Sequence, residues 1–122
     1  MFGFHPANLA FRLVLEIGAL IAIGVGAYNL ASGFFAWILG IGIPSVVAVG
    51  WGTFNVPGDE SRSGEAPVVV RGVVRLVLEV LIFTTGVVLL WFVSPVAAMV
   101  LGIGVVIHYL LSIDRIRWLL AN

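Results

Sequence analysis

Four apolar stretches, at residues 8–30, 34–56, 70–92 and 96–113, make up most of the chain. Each is close to the ~20 residues that a helix rising 1.5 Å per residue needs to cross ~30 Å of hydrocarbon. Lipid offers no partner to a backbone N–H or C=O, so runs of this length close their hydrogen bonds internally as helices, and their many Val and Ile residues do not make strands. A soluble bundle would need one polar face per helix, whereas these segments are apolar all round. With 61% of 122 residues hydrophobic and 10% charged, the chain lies far from the roughly half and quarter of soluble domains.

The breaks between the stretches are unequal. Ala31-Ser32-Gly33 and Val93-Ser94-Pro95 are short and uncharged, whereas Pro57–Pro67 (PGDESRSGEAP) is a polar, Pro-bounded loop of the sort that sits in water. The expected layout is one transmembrane domain over residues 1–122, with a first hairpin at about 8–56, a cytoplasmic loop at about 57–69 and a second hairpin at about 70–118. Both chain ends and the long loop then share a side, and Arg12, Arg62, Arg71, Arg75, Arg115 and Arg117 all fall there. The positive-inside rule places that side, with both termini, in the cytoplasm of a cell carrying the protein in its inner or plasma membrane. The start lacks a basic segment ahead of its apolar run and a small-residue cleavage site, so the first stretch is expected to be a retained span. Tyr28, Trp37 and Trp91 near the uncharged turns, with Trp51 and Trp118 nearer the charged side, suit two interfacial aromatic belts.

Arg12-Leu13-Val14-Leu15-Glu16 recurs unchanged as Arg75-Leu76-Val77-Leu78-Glu79, and Leu39-Gly40-Ile41-Gly42 as Leu101-Gly102-Ile103-Gly104. The fold class expected is therefore all-α, a four-helix polytopic bundle of two duplicated hairpins, with a pseudo-twofold axis along the membrane normal. Gly18, Ala22 and Gly26, and the pairs Ala36/Gly40 and Ala98/Gly102, form small-residue ridges that let helices approach closely. Pro44 removes a backbone hydrogen bond within the second span.

Asn8, Arg12 and Glu16 repeat at spacings of four and share one helix face, and Arg75 and Glu79 do the same on the third span. A charge at the bilayer centre costs roughly 2.5 to 3.5 kcal/mol on insertion scales, so these groups should pair or face a wet interior. Arg before Glu is the poorer order for a pair within one helix, which favours Arg12 meeting Glu79 and Arg75 meeting Glu16 across the axis. His108 reaches a similar depth on the fourth span, so Glu16, Glu79 and His108 are expected to form one polar pocket beneath Arg12, Arg75, Asp114 and Arg115. The candidate ligand or ion-pair cluster is Arg12, Glu16, Arg75, Glu79 and His108, with Asn8, Asp114 and Arg115 secondary. His5 reads as an interfacial histidine.

Other chemistries find little support. There is no cysteine, no nucleophile elbow and no HExxH, and the Gly-x-Gly pairs lie inside spans where they cannot cradle phosphate. No metal and no cofactor are expected, the set of two Glu and one His lacking metal-ligand spacing. Six arginines balance six acidic residues, leaving no footprint for nucleic acid. The leading reading is a non-enzymatic membrane protein that binds or moves a small molecule or ion, as a carrier or oligomeric pore. The alternative is a structural or accessory subunit packing on another membrane protein. The partners called for are the bilayer and either further copies of the chain or a larger membrane protein.

The segment Asn8-Leu9-Ala10-Phe11-Arg12-Leu13-Val14-Leu15-Glu16, the run Leu39-Gly40-Ile41-Gly42-Ile43-Pro44 with Trp51-Gly52-Thr53-Phe54-Asn55-Val56-Pro57, and Arg75-Leu76-Val77-Leu78-Glu79 together resemble the YrdB-like family of small four-helix prokaryotic membrane proteins. The resemblance implies the architecture and a bacterial or archaeal membrane. Being to a domain of unknown function, it implies no reaction.

Overall fold

The computed structural model describes residues 2–60 and 65–122; Arg62, counted above among the basic residues of the charged side, lies outside them. A 3-10 turn at Phe2–Phe4 leads into helix α1 (Pro6–Asn29), followed by α2 (Gly33–Thr53), strands β1 (Phe54–Asn55) and β2 (Val68–Val69), α3 (Gly72–Trp91), α4 (Pro95–Leu111) and α5 (Ile113–Ala121). Helix starts follow local chemistry. His5 Nδ1 accepts from the Ala7 amide at 3.1 Å ahead of α1, Ser94 Oγ accepts from the Ala97 amide at 3.3 Å ahead of α4, and both helices open on proline. His5, read from the sequence as interfacial, is thus a helix cap that also stacks on Phe2. The turn between α1 and α2 closes on Gly33, whose φ of 61° favours glycine.

Helices α1 and α3 pack side by side at the centre, with α2 along α1 and α4 along α3, so the lateral order is α2-α1-α3-α4. Leu15, Ala19, Ala22 and Ile23 of α1 meet Ile82 and Phe83 of α3 and Leu101 of α4 in the core. Backbone contacts occur at glycines. A methyl group on Gly24 would stand 2.9 Å from the carbonyl oxygen of Gly40, and one on Gly86 would stand 3.3 Å from that of Ala19. Pro44 deprives Gly40 of its usual helical N–H partner, and α1 covers that carbonyl with Gly24. Of the ridge Gly18, Ala22 and Gly26, the last two are buried, whereas Gly18 faces only the side chain of Leu101.

Helices α1, α2 and α3 are each long and apolar enough to cross a membrane, and α4 with α5 would make a fourth span if the bent pair is taken as one. Their outer surfaces carry the residues that suit lipid, among them Phe35, Val46, Val100 and Leu110.

The last stretch, 96–113, is helix α4 as far as Leu111, where the chain bends by 68° into α5. Ser112 stands at the bend, where its hydroxyl donates to the His108 carbonyl at 2.7 Å and competes with the backbone ladder. The second stretch stops being helical at Thr53, ahead of Val56-Pro57, and pairs in parallel with the far end of the loop, Phe54 opposite Val68 and Asn55 opposite Val69. Trp51 is no belt residue. It is 3% exposed and packs edge-on against Phe83, centroids 5.2 Å apart, because the last turn of α2 leans over α3.

Candidate functional site

Glu79, one turn beyond Arg75 on α3, is fully buried. Its Oε1 accepts from the Tyr109 hydroxyl at 2.9 Å and Arg115 Nη1 at 3.0 Å. Its Oε2 accepts from Arg12 Nη2 at 2.9 Å, Arg75 Nε at 2.8 Å and Arg115 Nη2 at 2.8 Å. Three helices thus aim guanidinium groups at one carboxylate. Each guanidinium has a further partner. Arg12 Nε donates to Glu16 Oε1 at 2.7 Å, and Arg115 Nη2 donates to Asp59 Oδ2 at 2.8 Å. Arg75 Nη1 donates to the carbonyl oxygens of Trp51, at 2.5 Å, and Phe54, at 2.9 Å. Trp51 lies in the last turn of α2, whose carbonyls have no intrahelical donor and carry the negative end of the helix dipole, so Arg75 caps that helix.

Arg12, Arg75 and Arg115 carry three positive charges; Glu16, Asp59 and Glu79 carry three negative ones. Burial therefore costs no net charge, and the shared hydrogen bonds offset the desolvation that makes isolated ion pairs unfavourable. Both pairs within a helix form despite the poorer order of Arg and Glu, and at Glu79 groups from α1, α4 and α5 converge on the carboxylate as well.

A second polar group adjoins the first. Asn8 Nδ2 donates to Ser112 Oγ at 2.8 Å and to the Gly3 carbonyl at 3.3 Å, leaving Asn8 Oδ1 to face His108 Nδ1 at 3.1 Å. With Asn8 oriented by those two bonds, His108 carries its proton on Nδ1. The imidazole also stands edge-on to Phe11 and Tyr109. Asp114 accepts from the Gly3 amide at 3.0 and 3.1 Å and so fastens the start of the chain to α5.

The structure brings Arg12, Glu16, Arg75, Glu79 and Arg115 into one cluster and places His108 beside it, facing Asn8. Asp114 holds the amino-terminal turn. Asp59, Tyr109 and Ser112 were missed. Asp59 belongs to the loop read as solvated, yet it is 1% exposed because Arg115 reaches it. Charge counting gave no signal for it, because Asp114 already balanced the three arginines with Glu16 and Glu79 in the sequence, and only the structure commits Asp114 to the Gly3 amide. Among the described residues no group of three or more His, Asp or Glu side chains is arranged to hold a metal ion.

Residues 10–107 match the family described as "Protein of unknown function (DUF2568)". The chain belongs to that family. The match takes in Arg12, Glu16, Asp59, Arg75 and Glu79 but ends before His108 and Arg115. The chain is also 44% identical over 118 residues, 95% of each sequence, to the "Uncharacterized protein YrdB" of Bacillus subtilis (strain 168). No solved structure matches it.

Proposed function

We infer that the protein is a structural or accessory subunit of a prokaryotic cell membrane, in which the Arg-Glu-Asp cluster locks the helices together and is not a transport or binding centre. The observation that carries this reading is the saturation of Glu79: both oxygens are taken by Arg12, Arg75, Arg115 and Tyr109 within a charge-balanced, buried set. A carboxylate so enclosed has no lone pair directed at a substrate, and moving any partner would strand a buried charge. The experiment is reconstitution into vesicles holding a pH-sensitive dye, with and without a potassium gradient. The expected result is flux no greater than in protein-free vesicles. Flux above that level, lost in Arg12→Gln, would establish the carrier reading instead. One observation favours that second reading: the Glu16 side chain keeps 15% of its surface, so a bound cation could reach Arg12's partner from outside.

The Gly3–Asp114 bonds bring the two chain ends to one end of the bundle, and Arg71 and Arg117 stand near it. By the positive-inside rule that end faces the cytoplasm. The absence of cysteine from the sequence makes this simple to check: Asn122→Cys should be shielded from a membrane-impermeant maleimide in intact cells and Ser32→Cys labelled. Labelling in the opposite pattern inverts the assignment.

Duplication of a hairpin accounts for the lateral order, each hairpin giving one central and one outer helix. A residue on a twofold axis meets its own counterpart, and Gly26 lies against Leu89, 63 positions later, the same offset that separates the two RLVLE strings.

A further inference from the structure

The groove between α3, α4 and α5 is apolar and has a volume of about 610 Å³, within the ~300–1,000 Å³ typical of ligand sites. It runs from Val88 and Gly102 to Leu76 and, past the bend, to Ile113 and Ile116. From Val88 to Leu76 is twelve residues of α3, about 18 Å at 1.5 Å per residue. That is close to half of the ~30 Å hydrocarbon core, the depth of a single leaflet. A partner's transmembrane helix would need a track about twice as long. An acyl chain from one leaflet fits the length.

The mouth of the groove supplies the other half of a lipid site. Helix α5 leaves α4 at 68°, so it lies towards the membrane plane when α4 stands along the normal. Its Arg115 and Leu119 are buried against the bundle, while Ile113, Ile116 and Leu120 keep apolar surface on an adjoining face. Arg117 lies one turn beyond Ile113, exposed and without an ion-pair partner among the described residues. Asp114, the acid on the same helix, is committed to the Gly3 amide. The comparable groove between α1 and α2, about 490 Å³ and also apolar, reaches instead to Tyr28 and Trp37 at the uncharged end.

We propose that the α3-α4-α5 groove holds one acyl chain of an anionic phospholipid, whose phosphate is held by Arg117. The proposal needs the chain to lie in a bilayer but is independent of whether the buried cluster transports anything. Delipidated protein in mild detergent, titrated with dioleoyl phosphatidylglycerol or dioleoyl phosphatidylcholine and read by native mass spectrometry, tests it. The first lipid bound should be the phosphatidylglycerol, by about five-fold, the ratio expected for one arginine near an anionic surface. Arg117→Gln should bring the two lipids to parity. Gly102→Leu should weaken the first binding of both lipids while leaving thermal stability intact, because the new side chain enters the groove and its Cβ meets Val87 only at ordinary contact distance. Equal binding of the two lipids by the unaltered protein overturns the proposal, as does a preference that survives Arg117→Gln. First-lipid binding unaffected by Gly102→Leu would place the lipid elsewhere and overturns it too.

Discussion

Arg12 and Glu16 on α1 and Arg75 and Glu79 on α3 come from the same five-residue string, and both pairs bond within their own helix at 2.7 and 2.8 Å. Their surroundings differ. Glu79 is enclosed by three guanidinium groups and a phenol, whereas the Glu16 side chain remains 15% accessible. The cause lies in the segment downstream of each hairpin. After α4 the chain bends into α5 and carries Arg115 back over α3; after α2 it becomes extended, and Arg75 takes up the carbonyls left at the end of that helix. Identical local sequence thus gives the same ion pair, while the load each carboxylate bears is set by elements far along the chain.

That contrast can be broken most directly at Glu79. Glu79→Gln should cost about 3–5 kcal/mol, because three arginines would share a buried site with one carboxylate fewer. Denaturant unfolding in detergent measures it, and a loss below about 1 kcal/mol would mean that the cluster is hydrated. Asp59→Asn removes the charge that balances Arg115 but leaves that arginine bound to Glu79, so a loss of about 1–3 kcal/mol is expected by the same measurement. Glu16→Gln, the same change in the other copy of the string, should cost no more than about 1 kcal/mol, as for partly exposed pairs. A Glu16 effect equal to that of Glu79 would abolish the distinction between the two. The smallest effect is expected at Gly18, two residues beyond Glu16 on the same helix. With only Leu101 near it, Gly18→Ala should be neutral or stabilise by about 0.5–1 kcal/mol through helix propensity, seen as an unchanged or raised melting temperature.

Much of the site was legible from the sequence. Charged residues at spacings of four within apolar runs had to be hidden from lipid, and Arg12 meeting Glu79 followed from two matching helices lying together. Asp59 was not legible, since a polar loop between two prolines reads as solvated, and Asp114 already balanced the arginines of the set on paper. Tyr109 was hidden for another reason: a tyrosine in an apolar helix suits an interface equally well, and only the packing of α4 on α3 turns its hydroxyl to Glu79. The break at Ser112 left only a weak mark, because serine hydroxyls commonly bond the carbonyl four residues back without ending a helix.

By itself the sequence determined the solvent this protein is made for, the extent of its long helices, and the set of ionisable groups that must find partners. These follow from local hydropathy and helical period, which act over a few turns. Only the tertiary structure decided that Glu79 is the centre and that α5 and the loop supply the groups that balance it. Those contacts join residues 36 and 56 positions apart, and which distant groups meet is fixed by how whole helices pack.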